Sequence, residues 1–152
     1  MAFRLRLATK IFSRTMRATG RLAPMASLLL DTCALLWLGG DPERLSPAAR
    51  SRIERTMLIY VSPVSLWEIA LKHRLGKLEL SLPPHEWFAA VKEAYGFSVL
   101  PLDEPVMLES ARLPLFHRDP ADRFIIATAK IHSLDIVTGD RRFAQYGVNT
   151  LN

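Results

Sequence analysis

The stretch HRDPADRFIIATAKIHSLDIVTGDRRF, residues 117–143, decides how the rest of the chain is read. Pro120 suits the first turn of a helix, where its missing N–H would have no partner in any case. The apolar run Phe124-Ile125-Ile126-Ala127-Thr128-Ala129 continues that helix. A short strand-like segment follows, Asp135-Ile136-Val137-Thr138, with Gly139-Asp140 at its carboxyl end. A helix feeding a short apolar strand that ends in an acid is one unit of a parallel α/β sheet.

Upstream the same alternation repeats. Ser27-Leu28-Leu29-Leu30 is a buried-strand candidate ending at Asp31. The spacing predicts a helix over 32–38, closed by Gly39-Gly40. A second helix, 47–57, has Ser46 as N-cap and Pro47 in its first turn, with Ala48, Ile53 and Met57 on one face. A strand over 58–61 leads to Ser62-Pro63 and a helix in which Val64, Trp67, Ile69 and Leu71 face inward, with Glu68 the odd residue among them. Pro83-Pro84 opens a helix through Trp87, Phe88 and Val91 to about Gly96, and 97–100 is a third strand. A helix over 105–113 precedes the deciding stretch; a short helix at 142–145 and a strand over 147–151 follow it. The expected architecture is a three-layer α/β/α fold around a parallel sheet of four to five strands.

At 152 residues, 49% of them hydrophobic and 23% charged, the chain is one ordinary globular domain. A lone cysteine, Cys33, excludes an internal disulfide and a Cys-rich zinc site, which suits a reducing cytoplasm. No apolar run approaches the roughly 20 residues of a membrane-spanning helix, so a soluble protein is expected. The net charge of +5 is uneven: residues 1–24 hold Arg4, Arg6, Lys10, Arg14, Arg17 and Arg21 with no acid, while the remainder holds the other 14 basic residues and all 15 acids. The basic balance therefore belongs to the head, and the domain over 25–152 is near neutral. Three readings of the head stay open: a start codon placed upstream of Met25, a transit-like leader, or a basic arm for RNA or a partner.

Ligands of an open parallel sheet bind outside the carboxyl ends of its strands. Four acids fall there or near there: Asp31 after the first strand, Asp140 after the fourth, Glu68 in the helix after the second, and Asp122 in the first turn of the helix before the fourth. Brought together they would repel one another and raise some pKa values unless a cation lay between them. A hard divalent ion, Mg²⁺ or Mn²⁺, takes such oxygen ligands and supports phosphodiester hydrolysis. Each acid also has a plainer reading: Asp31 as a helix cap, Asp122 at a helix N-terminus or paired with Arg123 or Arg118, Asp140 as a turn residue. Glu68 resists one, since an acid between Trp67 and Ile69 costs free energy unless paired or ligating. No phosphate-binding glycine loop is present, and the four histidines show no metal-ligand spacing. His117, beside Asp119, either lines the site or, the favoured reading, takes a surface or capping role; Cys33 is expected as a small core residue, and Trp37, Trp67 and Trp87 in the core.

Four runs together, LLLDT at 28–32, VSPVSLWEIALK at 61–72, HRDPADRFIIATA at 117–129 and IVTGDRRF at 136–143, resemble PIN-domain ribonucleases, most closely the VapC-type toxins of bacterial toxin–antitoxin pairs. The resemblance spans 25–152 and implies that Asp31, Glu68, Asp122 and Asp140 form the metal-binding catalytic set. It places Thr32 as the hydroxyl beside the first acid and Asp119 as an additional acid behind the ligands or toward substrate. It further implies Mg²⁺- or Mn²⁺-dependent endonucleolytic cleavage of RNA, a homodimer, and inhibition by a cognate antitoxin through which any contact with DNA would run. The Arg-rich head lies outside the family pattern. Two readings from other classes remain beside this one: a catalytically silent scaffold of the same fold, and an aspartate-nucleophile phosphatase, which would want a second aspartate where Cys33 stands.

Overall fold

The computed structural model describes residues 27–152, and the expectations for the basic head fall outside them. Leu28–Leu30 forms β1, a strand with no exposed surface on any of its three leucines. A continuous apolar run of this kind is what a central parallel strand requires, because both of its faces are covered. Ile59–Val61 (β2) and Asp135–Val137 (β4) pair with it in parallel, setting Leu29 beside Tyr60 and Ile136. Ser98–Val99 (β3) extends the sheet beyond β2, and Thr150–Leu151 (β5) extends it beyond β4. The order is β3-β2-β1-β4-β5, so the chain winds outward to one side of β1 and then to the other. The crevice where the winding reverses lies between β1 and β4.

Among the described residues six helices cover the sheet: α1 (Thr32–Gly40), α2 (Pro47–Arg55), α3 (Pro63–Arg74), α4 (Pro84–Tyr95), α5 (Glu104–Arg112) and α6 (Pro120–His132). A short 3-10 turn, Pro42–Arg44, links α1 to α2, and a 3-10 segment, Arg141–Tyr146, follows β4. Alternation along β1 divides the core into two layers. Leu28 and Leu30 pack with Leu35, Trp87, Phe88 and Val91, whereas Leu29 packs with Ile125, Ile126, Ile136 and Phe143 on the opposite face. The expected three-layer fold with five parallel strands is present.

Several local expectations are corrected. Gly39-Gly40 are the last two residues of α1 rather than residues beyond it, with Asp41 as the C-cap, and α4 approaches so closely that a Cβ on Gly39 would sit 2.5 Å from the Trp87 ring. On α2, which ends at Arg55, the inward residues are Ala49 and Ile53; Ala48 is exposed and Met57 lies beyond the helix in solvent. On α3 the buried set is Val64, Ser65 and Ile69, while Trp67 and Leu71 point outward at 56% and 39% exposure. Residues 67 and 71 share one helical face and 65 and 69 another, and the sheet takes the second. Trp37 is half-buried and Cys33 exposed, so neither belongs to the sealed core, whereas Trp87 does.

Candidate active site

The carboxyl ends of β1 and β4 each deliver an aspartate. Asp31 prolongs the ladder by donating its N–H to Val137 O at 3.1 Å, then turns into α1 as its N-cap, with Oδ1 accepting from Ala34 N at 2.7 Å. The capping reading of Asp31 is thus correct as far as it goes. The carboxylate is also 5% exposed, and its pKa is pushed up to about 6. Desolvation is the main cause, opposed by a hydrogen bond from Thr138 and the Ala34 amide and reinforced by the charges of Asp122 and Glu68. Thr138 itself is buried at the end of β4, and its Oγ1 accepts from Asp140 N at 3.0 Å. One hydroxyl thereby ties the two strand-end aspartates together.

Asp122 lies in the first turn of α6, whose N-cap is Asp119 through a 2.9 Å bond from Ala121 N to Oδ1. Its pKa also rises to about 6, by desolvation first and then by the charges of Asp119, Glu68 and Asp140, with His117 working in the opposite direction. It does not pair with Arg123. That guanidinium donates instead to the carbonyls of Ser110 at 2.7 Å, Leu113 at 2.8 Å, Pro114 at 2.8 Å and His117 at 3.4 Å, fastening the end of α5 and the following loop to α6.

Glu68 reaches the cluster from α3. It is held by the Thr32 hydroxyl, which donates to Oε2 at 3.1 Å, and by Lys72, which pairs with Oε1 one turn along. Ser65 Oγ lies 3.0 Å from the same Thr32 oxygen and is fully buried. Since the carboxylate is the stronger acceptor, the Thr32 proton goes to Glu68 and Ser65 supplies its own to Thr32. The cost of an acid on this helix is met by pairing.

Asp140 caps the 3-10 segment through Oδ1, which accepts from Arg142 N at 2.9 Å. The Arg142 guanidinium folds back onto both carboxylate oxygens, with Nη2 at 2.7 Å from Oδ2, and this contact foremost holds the Asp140 pKa well below the usual carboxylate range. His117 is 2% exposed, contrary to the surface position expected, and its Nε2 lies 3.1 Å from Asp140 Oδ2. A donor atom from each of His117, Asp122 and Asp140 lies within 4.8 Å of the others.

The donors suit a divalent cation on chemical grounds. They are carboxylate oxygens, the donors that a hard ion takes, with the His117 imidazole close beside them. Two of the acids, Asp31 and Asp122, are held to about pH 6 largely by poor hydration and mutual charge, a penalty that a cation among them removes. Arg142 on Asp140 shows positive charge already drawn to the cluster. A mainly apolar groove of about 230 Å³ opens on α1 from Cys33, two residues past Asp31, lined also by Leu36, Trp37, Leu78, Leu80 and Trp87 and by none of the four acids. Desolvation, then the charge of Asp31, pushes the Cys33 thiol up to about 11, so it stays protonated and offers no nucleophile near neutral pH.

Sequence reasoning passed over Thr138, Ser65 and Tyr146 and set His117 at the surface. A hydroxyl at a strand end beside an acid was the available signal for Thr138, and the spacing of three between Ser65 and Glu68 was the signal for Ser65. Tyr146 had none.

Comparison with known proteins agrees with this geometry. The family model of the PIN domain matches residues 28–149. The chain is 32% identical over 123 residues to ribonuclease VapC22 of Mycobacterium tuberculosis, covering 80% of this chain and 93% of that protein. The crystal structure of FitAcB from Neisseria gonorrhoeae superposes with a TM-score of 0.59 at 26% identity, over 82% of this chain and 96% of its own. VapBC-5 of M. tuberculosis, a member of the VapBC family of toxin–antitoxin systems, shares the fold with a TM-score of 0.53 at 20% identity, over 84% and 98% of the two chains. With the family model matched over residues 28–149 and a relative 32% identical over 80% of the chain, the chain belongs to the PIN-domain family.

Proposed function

We propose that this protein is a divalent-metal-dependent endoribonuclease, the toxin of a toxin–antitoxin pair, with Asp31, Glu68, Asp122 and Asp140 as its catalytic acids. The observation that carries the reading is the delivery of these four side chains to one edge of the sheet, at the β1/β4 crevice, with Asp31 and Asp122 electrostatically coupled. The relation to ribonuclease VapC22 supports RNA as the substrate.

Asp31, Glu68, Asp122 and Asp140 would hold the ion, Mg²⁺ or Mn²⁺, some directly and the others through its waters. A bound ion of this kind lowers the pKa of a water for in-line attack and offsets the charge developing on the phosphate. The protein's own part is orientation. Thr138 fixes Asp31, Thr32 with Ser65 fixes Glu68, and the two α-helix caps hold the carboxylates on rigid elements rather than on loops. Lys72 and Arg142, the latter 59% exposed at its side chain, border the acids and offer cationic contacts to an RNA backbone. Asp119, exposed at the start of α6, faces outward beside them.

The chain's partner in this reading is a cognate antitoxin, and the apolar groove on α1 suits an apolar segment of such a protein. Contact with DNA would run through that partner. A homodimer is supported by the apolar stripe Trp67, Leu71 and Leu75 left exposed on and just beyond α3. The proposed place of work is the cytoplasm, and no helix among the described residues is long and apolar enough to cross a membrane. The functional domain runs over 25–152.

Incubation of the protein with structured and unstructured RNAs tests the reading directly. Cleavage should require Mn²⁺ or Mg²⁺, stop with EDTA, and be lost in Asp31→Asn and in Asp122→Asn. Undiminished cleavage by both variants, or cleavage in EDTA, refutes it.

A further inference from the structure

His117 is the one buried side chain that touches the Asp140 carboxylate among the described residues, and nothing in the catalytic set accounts for it. Its ring is boxed in. Phe143 stands edge-on at 5.1 Å between centroids, and Tyr146 lies tilted at 5.4 Å. The Tyr146 hydroxyl accepts from the His117 backbone N–H at 2.7 Å and lies 3.1 Å from Nδ1. That oxygen has one proton left to give, and Nδ1 is where it points. In the neutral ring Nδ1 is then the acceptor, which leaves the proton on Nε2, facing Asp140 Oδ2 at 3.1 Å.

We infer that His117 is a positioning residue of the cation site: Tyr146 fixes its tautomer and rotation, and its Nε2–H holds the Asp140 carboxylate in the orientation a metal ion needs. This rests on the cation-site reading above. The other side chain on Asp140 is Arg142, exposed and long, which keeps no fixed place once a cation competes for the same oxygens. His117 pays no such entropy, since burial has already removed its freedom. The loop that carries it is itself immobilised by Arg123, so the orientation of Asp140 is set from α6 through a continuous series of hydrogen bonds. Outer hydrogen bonds of this kind commonly govern metal affinity by 10- to 100-fold.

Two substitutions separate this role from mere packing. His117→Gln places an amide N–H near the position of Nε2 and keeps a donor for Asp140. His117→Asn places its polar atoms near Nδ1, keeps contact with Tyr146 and loses the donor. Mn²⁺ affinity, read from the EPR signal of the free ion during titration of the full chain, should fall roughly 10- to 100-fold in His117→Asn. Most of that loss should be recovered in His117→Gln, and Tyr146→Phe should fall between them. Wild-type affinity in His117→Asn overturns the role of His117, as does a loss in His117→Gln equal to or greater than that in His117→Asn. Should both His117 variants fail to fold, Tyr146→Phe decides, and wild-type affinity there overturns the inference. Wild-type protein that binds no Mn²⁺ removes the cation site itself, and the positioning role with it.

Discussion

Replacing Asp31 by asparagine should make the metal-free protein more stable at neutral pH. Asparagine accepts the same capping bond from Ala34 N, so the helix start is preserved and the charge alone is removed. The folded-state pKa of Asp31 is raised from 3.8 to about 6, so the folded chain binds this proton more tightly than the unfolded one. Stability from this group is therefore greatest below about pH 4, declines as pH rises through about 6, and stays lowest above that. The shift corresponds to a penalty of at most about 3 kcal/mol at pH 7, and water drawn to the crevice lessens it. A gain of about 1 to 3 kcal/mol is expected for the variant, or a rise in Tm of roughly 4 to 10 °C. The measurement is thermal and urea unfolding of both proteins in EDTA at pH 4 and pH 7.5. The gain should largely vanish at pH 4, and at saturating Mn²⁺ the order should reverse, because ligand binding stabilises the wild type by about 4.1 kcal/mol at a thousandfold excess over Kd. A variant less stable than wild type by the same amount at both pH values would refute the argument, leaving Asp31 a cap and nothing more.

Further outcomes follow from other contacts. Gly139→Ala should cost about 1 to 3 kcal/mol, since its Cβ would meet the Trp37 ring at 2.5 Å, and Trp37→Leu in the same chain should recover part of that loss in a double-mutant cycle. Arg142→Ala should tighten Mn²⁺ binding modestly, by up to roughly fivefold in calorimetry, because an exposed, solvent-screened ion pair is only a weak competitor for Asp140. Deleting residues 1–24 should leave the Tm and RNA cleavage unchanged; a fall in either would make the basic head part of the working domain.

The strands and their acids were legible because each rests on a local signal. A three-leucine run must be buried on both faces, and an acid directly after it must lie at the sheet edge, whatever the rest of the chain does. Proline and serine marked the starts of α2, α3 and α6 for equally local reasons. The inward face of α3 was harder, since Trp67 and Leu71 are as apolar as Val64 and Ile69, and only the direction of the sheet chooses between the two faces. Gly39 read only as a helix end, because the approach of Trp87 from a helix nearly 50 positions later leaves no trace nearby. His117 was misplaced for the same reason. It sits in a loop without periodicity, and its burial comes from Phe143 and Tyr146, whose own segment is a short 3-10 stretch.

The four carbonyls collected by Arg123 have a practical bearing on how this chain tolerates change. The segment between α5 and α6 is held chiefly by one side chain, whose planar fork a lysine does not reproduce, with Tyr146 fixing its far end at His117. Inserting even one residue between 113 and 118 would throw the carbonyls out of register with that fork and carry His117 away from Asp140. The connection between α3 and α4, over 75–83, carries none of the four catalytic acids, but Leu78 and Leu80 pack on the core and line the groove. Epitopes or fluorophores therefore belong on its exposed end, residues 81–83, and the two loops differ in how much of each is free to vary.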